Sequence, residues 1–374
     1  MSVVLVVALV AGPALYALAV TVIALVAWPR GQLGAGLPGR VAVLVPARDE
    51  ARSIEEAVHA ALTQGADEVV VYDDQSRDGT GAIVDRIARI EPRLRRVEGS
   101  PLPAGWVGKA HACARLAEAT SADWLVYVDA DVMLEPRALQ RVAHLVRTLG
   151  ADLVTAVPRQ QVVGWAEQLV VPLLHLIYAS WLPAPLVWLS RDPRMTMANG
   201  QLLAIRRDAL VRLGGWDAVR SELVEDMALA TRAKRMGLRV VFADGHLMAR
   251  CRMYRSASEV WEGFTKNLFE GLGESVTRLV LVLALHLWAF VLPLVLLVAA
   301  DGPLRVAGAI GVGANVVQRA ILVLRHRQPV LAALAQPISV LALVAIGLES
   351  WRRSITGRIA WRGRRYGARS ARGA

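Results

Sequence analysis

The sequence predicts an α/β protein built on a doubly wound sheet and flanked by apolar segments of membrane-spanning length. Three observations predict it. Short β-rich apolar runs alternate with helical stretches from Val41 to Asp131, two of those runs end in acid pairs, and the apolar fraction of 55% is concentrated at the two ends of the chain.

In chain order, Val3–Ala27 holds no charged residue and is long enough to span a bilayer at about 1.5 Å per residue. A secretory signal would carry a basic residue ahead of a shorter apolar core. Residues 1–29 are therefore expected to be a retained anchor, with Arg30 and Arg40 placing the next segment in the cytoplasm. Gly31–Gly39 is a Gly-rich linker without the strand that a dinucleotide fingerprint needs. Val41–Val45 reads as a buried strand ending at Pro46-Ala-Arg48-Asp-Glu50, and Ser53 with Glu56 reads as a capping box opening a helix to about Leu62.

Glu68–Tyr72 is the second strand. It ends in Asp73-Asp74-Gln-Ser-Arg-Asp78-Gly-Thr80, and a helix over about Gly81–Ile90 comes next. Leu94–Val97 is a third strand and Gly108–Ala119 a helix. Leu125–Val128 is then a strand that stops on Asp129 and Asp131. Ligands in open α/β sheets gather at the carboxyl ends of strands, and two carboxylates one residue apart suit Mg²⁺ or Mn²⁺ holding a diphosphate. A merely polar strand end would give the same pattern.

Composition excludes several classes. Cys113 and Cys251 are the only cysteines, so no disulfide framework is expected and a reducing compartment fits. Of the net charge of +11, much lies after Glu349, where eight arginines (352, 353, 358, 362, 364, 365, 369, 372) meet no acid. Beside an apolar helix such a tail suits anionic lipid head groups, and nucleic acid is not an expected partner. None of the seven histidines pairs at i,i+4, and neither a phosphate-binding loop nor a nucleophile elbow occurs. His175, His246, His286 and His326 read as packing or interfacial residues. A glycoside hydrolase would use two carboxylates but needs neither nucleotide pocket nor metal pair.

Taken together, the Pro46–Glu50 opening, Asp73-Asp74-x-Ser-x-Asp78-Gly-Thr, Asp129-Ala-Asp131, Asn199-Gly200-Gln201 ahead of a strand, and Val224-Glu225-Asp226 resemble the motifs of family-2 glycosyltransferases, over about Val41–Gly273. Gly105-Trp-Val-Gly-Lys109, Met197–Gln201 and Met253–Asn267 look like the membrane-bound members that glycosylate carotenoids and other polyprenoids. The resemblance implies a GT-A nucleotide-sugar-binding domain over residues 40–275, a doubly wound mixed sheet. It assigns Asp74, with Glu50 and Asp73 near it, to the donor's uracil and ribose and counts Pro46 and Arg48 among the donor-binding residues, although turn chemistry also explains Asp73 and Asp78. It implies that Asp129 and Asp131 hold the Mg²⁺ or Mn²⁺ and that Lys109, Asp129 and Arg255 lie near the diphosphate.

Asp226, opening a helix where the dipole favours an anion, is the implied general base, with helix capping as the competing role. Asn199, Gly200, Gln201 and Glu225 are expected on the acceptor side. Polysaccharide synthases of this family carry Gln/Arg-x-x-Arg-Trp, whereas this chain has Arg252-Met-Tyr-Arg255-Ser256, which argues against processive synthesis.

Val162–Leu189 is apolar and rich in Trp165, Tyr178, Trp181 and Trp188, but Pro172, Pro183 and Pro185 break it. Residues 162–189 are expected to form interfacial helices offering a lipid its way in, with Trp181 on the acceptor side; a flap over the site is the alternative. Trp261, Phe264, Leu268 and Leu272 suggest another such helix. Residues 277–349 hold two to three membrane segments: Leu279–Ala300, Val306–Leu324 and a run from Pro329 to Leu348 interrupted at Gln336-Pro337. Three full spans would put the Arg-rich tail, 350–374, outside, against the positive-inside tendency, so the last run is left open. The apolar runs are few and carry no charged residue in mid-span except near their ends, which argues against a transporter.

The expected function is an inverting hexosyltransferase, first choice UDP-glucose as donor, acting on a membrane lipid such as a carotenoid or other polyprenoid at the cytoplasmic face of the cell membrane. A glycerolipid or polyprenyl phosphate acceptor is the alternative, and a non-catalytic membrane scaffold of transferase fold is the rival from another class.

Overall fold

The computed structural model describes residues 2–361 and 364–366. It divides into two compact units. One comprises Trp28–Arg159 and Ala184–Met253; the other comprises Met1–Ala27, Gln160–Pro183 and Tyr254 onward.

The first unit contains the sheet. Its strands are β1 (Val41–Ala47), β2 (Glu68–Asp73), β3 (Leu94–Glu98), β4 (Trp124–Val128), β5 (Val132–Leu134), β6 (Leu153–Gln160), β7 (Leu202–Arg206) and β8 (Val240–Cys251), in the spatial order β3-β2-β1-β4-β7-β6-β8-β5. β1 pairs in parallel with β2 and β4, and β2 with β3, whereas β7 runs antiparallel to both β4 and β6. The sheet is mixed, as expected. Strands buried on both faces read as continuous apolar runs, and here each face has its own core. Val43, Val45, Val69, Val71, Val126 and Val128 pack on one side with Ile54, Val58 and Val142. Leu44, Val70, Tyr72, Leu125 and Tyr127 pack on the other with Leu116, Leu210 and Leu229.

The helix Ile54–Leu62 is present, but the expected capping box is not. Ser53 makes no side-chain cap; its hydroxyl faces Glu50, donating to the carboxylate at 3.3 Å, and Glu56 pairs instead with Arg250. Where β2 ends, β3 passes very close: Gly99 N–H donates to Asp73 O at 2.9 Å, and a Cβ at 99 would lie 2.4 Å from that oxygen. Only glycine permits this approach.

The second unit is helical. Val3–Ala27 packs along Gly302–His326, with Ala11, Ala14 and Ala17 fully buried. Small residues let apolar helices approach closely, and polar side chains then fasten them. Gln318 Nε2 donates to Ala17 O (3.2 Å), Thr21 Oγ1 (2.9 Å) and Ser180 Oγ (3.0 Å). Val162–Pro183 forms Trp165–Val170 and Leu173–Ser180; the third short helix of that stretch, Pro185–Leu189, belongs to the sheet unit.

Ala257–Gly271 is the next helix, capped by Ser256 Oγ on Glu259 N–H at 3.1 Å. Val276–Phe290 and Leu292–Ala299 meet at a 41° bend. Val3–Ala27 and Gly302–His326 are long and apolar enough to cross a membrane, and the bent pair would make a third such span. Gln336–Ile355 does not meet that test. Its Pro337 lies in the first helical turn, where the missing N–H costs nothing, so this proline begins a helix instead of interrupting one. Arg319 lies in the C-terminal third of Gly302–His326 and is 1% exposed. Ile359–Trp361 pairs with Arg364–Tyr366; Arg362, Arg369 and Arg372 of the basic tail lie outside the described residues.

Candidate active site at the carboxyl edge of the sheet

Chain direction alone brings β1, β2 and β4 to a common rim. β4 delivers Asp129 and Asp131 there, and the helix Gly108–Glu118 presents Lys109 from its first turn. Lys109 Nζ lies 2.7 Å from Asp129 Oδ1 and 3.3 Å from Glu225 Oε1. Glu225 and Asp226 are the first two residues of Glu225–Arg235. Gly200 closes the group: a Cβ there would lie 3.1 Å from Lys109 Nζ and 3.3 Å from Asp226 Oδ2. Lys109, Asp129, Gly200, Glu225 and Asp226 are thus one cluster.

Behind it runs a buried polar chain. Asp129 N–H donates to Gln201 O at 3.3 Å, and Gln201 N–H donates to Asn199 Oδ1 at 3.0 Å. Gln201 Nε2 donates to Cys251 Sγ at 3.0 Å, and the Cys251 thiol is hydrogen-bonded to the Asp131 carboxyl. Thr155 holds Asn199 at both its O (2.6 Å) and its N–H (2.9 Å). Thr155 and Cys251 escape a reading of the sequence, being ordinary strand residues until β6, β7 and β8 align.

Burial, and then the charge of Asp129, push the Asp131 carboxyl up to about 6. Burial works against the Lys109 ammonium, but Asp129 and Glu225 outweigh it and hold Lys109 well above its usual range. Burial also pushes up the Cys251 thiol.

At the β1 and β2 ends the acids are engaged in shaping the loop. Arg48 Nη1 donates to Asp74 O at 2.6 Å and lies 3.8 Å from Asp74 Oδ2. Asp73 Oδ1 accepts Ser76 N–H at 3.0 Å, and Arg96 lies 3.7 Å from its other oxygen. Glu50 N–H donates to Thr80 Oγ1 at 2.9 Å, and Pro46 sits in β1 opposite Tyr72. Asp49, at φ +54°, turns the chain and accepts Arg77 N–H. Asp78 takes the turn role: burial opposes its charge, but Thr80 and the N–H of Ala51 hold it below the usual carboxylate range.

Two sequence-predicted residues belong to the helical unit. Arg255 is exposed, and its backbone N–H donates to Glu259 at 2.7 Å. Trp181 is half-buried among Tyr16, His286 and Phe290, donating Nε1 to His286 Nε2 at 3.2 Å.

The model of the family described as glycosyltransferase like family 2 matches residues 38–274. The chain belongs to that family. Among curated relatives of this family-2 glycosyltransferase, the 4,4'-diaponeurosporenoate glycosyltransferase of Staphylococcus haemolyticus is 24% identical over 66% of this chain and 65% of its own length. The chain thus aligns with slightly less than two thirds of that relative. Glycosyltransferase AglD of Haloferax volcanii is 33% identical over 34% of this chain and 20% of its own. Among solved structures, the mannosyltransferase PcManGT of Pyrobaculum calidifontis, described in complex with GDP-Man and Mn²⁺, superposes with a TM-score of 0.57 at 22% identity, covering 95% of this chain and 97% of that one. That likeness supports the GT-A fold.

Two results are expected at the cluster. Gly200→Ala forces Lys109 and Asp226 apart by a few tenths of an ångström; since misplacement near the chemistry is costly, turnover should fall roughly ten-fold with little change in melting temperature, measured by initial rates and thermal unfolding. Asp131, being raised in the folded protein, contributes stability that is present below its unfolded value near 3.8 and lost as pH rises through about 6. Metal-free wild type should therefore gain melting temperature relative to Asp131→Asn as pH is lowered from about 7 to about 5. Parallel pH curves for the two proteins would remove Asp131 as the responsible group.

Proposed function

We propose that this glycosyltransferase transfers a hexose, with inversion, from a nucleotide diphosphate sugar onto a membrane lipid. UDP-glucose is the first choice of donor and a carotenoid or other polyprenoid the first choice of acceptor. The observation that carries the reading is the convergence of Lys109, Asp129, Glu225 and Asp226 at the carboxyl edge of the sheet. The spanning helices support a lipid acceptor, and the diaponeurosporenoate relative supports a polyprenoid.

In this reading residues 40–275 are the catalytic domain, on the cytoplasmic side behind Arg30 and Arg40, and the arginine-rich tail meets anionic head groups. The nucleoside lies over Glu50, Asp73 and Asp74, whose carboxylates accept from N–H and hydroxyl groups, with Pro46 and Arg48 also on the donor side. Lys109 faces the diphosphate.

The site suits a divalent cation. A carboxyl raised to about 6 by burial, and then by the Asp129 carboxylate beside it, marks a place where negative charge is costly and a cation is favoured. Among the described residues no group of three His, Cys, Asp or Glu side chains encloses a metal. Asp129 and Asp131 would therefore hold Mg²⁺ or Mn²⁺ by two protein oxygens, the rest coming from water and phosphate as Mg²⁺ prefers. Bound there, the ion supplies neutralisation of the charge growing on the leaving diphosphate.

The chain's own residues do the rest. Asp226 takes the acceptor hydroxyl's proton as that oxygen bonds to the anomeric carbon and the bond to the diphosphate breaks. Glu225, already paired with Lys109, orients that helix end, while Asn199, Gly200 and Gln201 serve the acceptor side.

The test is a transfer assay in detergent-solubilised membranes with radiolabelled UDP-glucose, Mg²⁺ or Mn²⁺, and total lipid extract. Label should enter the organic phase and EDTA should stop it. UDP release without lipid labelling would discard the lipid acceptor. Absence of turnover with any nucleotide sugar would overturn the enzyme reading in favour of a scaffold.

A further inference from the structure

Among the described residues, the helical unit buries a cation that has no counter-charge. Arg319 donates from Nε (3.1 Å) and Nη2 (2.6 Å) to one carbonyl, Ala332 O, and its buried Nη1 has no partner. No described carboxylate forms an ion pair with it. Two more unsatisfied groups bracket the same carbonyl in sequence. Gln328, 8% exposed, leaves both its amide nitrogen and its oxygen unpaired, and Gln336, 4% exposed, leaves its amide nitrogen unpaired. Both lie four residues from Ala332, at the two ends of the short helix Val330–Leu334. Glu167, on a helix that packs against this one, spends its carboxylate on the N–H groups of Val163 and Gly164, at 3.0 Å each.

Buried polar groups are nearly always paired, and an unpaired buried guanidinium is among the costliest exceptions. An ionisable residue inside a candidate membrane segment marks a ligand or pathway more often than a packing accident. A guanidinium with an unpaired nitrogen, held on the carbonyl midway in sequence between two glutamines with unpaired amide groups, matches a singly charged oxyanion, above all a phosphodiester. We propose that Arg319, Gln328 and Gln336 form a binding site for the phosphate head of an anionic lipid within the helical unit. It rests on that unit being embedded in a membrane, which flotation of the full-length protein with membranes tests by itself.

The deciding experiment is thermal unfolding of full-length, delipidated protein in detergent, with added phosphatidylglycerol, phosphatidylcholine or inorganic phosphate. Wild type should rise by several degrees with phosphatidylglycerol and not with phosphatidylcholine, and native mass spectrometry should find phospholipid retained on it. Arg319→Met, which removes a buried unpaired charge, should match or exceed wild type without lipid and show no phosphatidylglycerol shift. If that variant does not fold, Gln328→Leu keeps the charge and should halve the shift or more. A comparable rise with inorganic phosphate alone would assign the same site to a soluble phosphate. No shift in wild type, or an equal shift in both variants, overturns the proposal.

Discussion

Asp226→Asn should abolish sugar transfer while the protein still binds UDP. The substitution is nearly isosteric, and an amide oxygen can still accept the Met227 N–H that Asp226 Oδ1 holds at 2.8 Å. Helix and fold should therefore stay within about 0.5 kcal/mol of wild type. Proton acceptance is what disappears, and a positioned general base contributes roughly 10²–10⁴-fold. Its neighbour is a poor substitute, because the Glu225 carboxylate is already engaged by the Lys109 ammonium at 3.3 Å. Rates of lipid labelling set beside calorimetric UDP binding measure both sides of this expectation. Turnover retained at a tenth or more of wild type would remove Asp226 as the base.

Lys109→Met should damage stability and donor binding together. The substitution keeps the apolar stem and deletes the one cation shared by Asp129 and Glu225, leaving two carboxylates crowded in a half-buried site. Breaking one partner of a fully buried pair costs about 3–5 kcal/mol. With a side chain a third exposed for Lys109 and a quarter for Asp129, solvent screening reduces this to about 1–3 kcal/mol. The expected readouts are a melting temperature lower by several degrees and a weaker UDP affinity, with Lys109→Arg recovering most of the stability. An unchanged melting temperature would show that the two acids do not depend on this cation.

What the sequence made legible is what is local. Val41–Ala47, Glu68–Asp73 and Trp124–Val128 are apolar on both faces because both faces are core, so they stand out as continuous runs. The acids at their ends are placed by chain direction, and Glu225-Asp226 announces a helix start. What stayed hidden depends on distant partners. That Lys109 joins Asp129 to Glu225, or that Cys251 stands between Asp131 and Gln201, requires strands far apart in sequence to lie side by side. The capping box at Ser53 failed for the same reason, since Glu56 finds Arg250 in the tertiary structure. Pro337 read as an interruption because hydropathy alone does not separate the start of a helix from its middle. Arg319 drew no attention because an apolar average over Gly302–His326 passes over its individual charges, Arg305, Arg319 and Arg325.

The partnership between Val3–Ala27 and Gly302–His326 also bears on how the protein is made. The ribosome releases the first helix early, with the alanine face of Ala11, Ala14 and Ala17 exposed, and its partner does not exist until synthesis reaches residue 302. At cellular elongation rates of about 5–20 residues per second, that wait is on the order of tens of seconds. During it a helix inserted in a membrane would rest alone in lipid, where a small-residue face is neither hydrated nor penalised, while the sheet closes from the chain emerging behind it. A nascent chain stalled before residue 302 should therefore leave the first helix open to crosslinking by lipid or by the insertion machinery, and release of the stall should close that window.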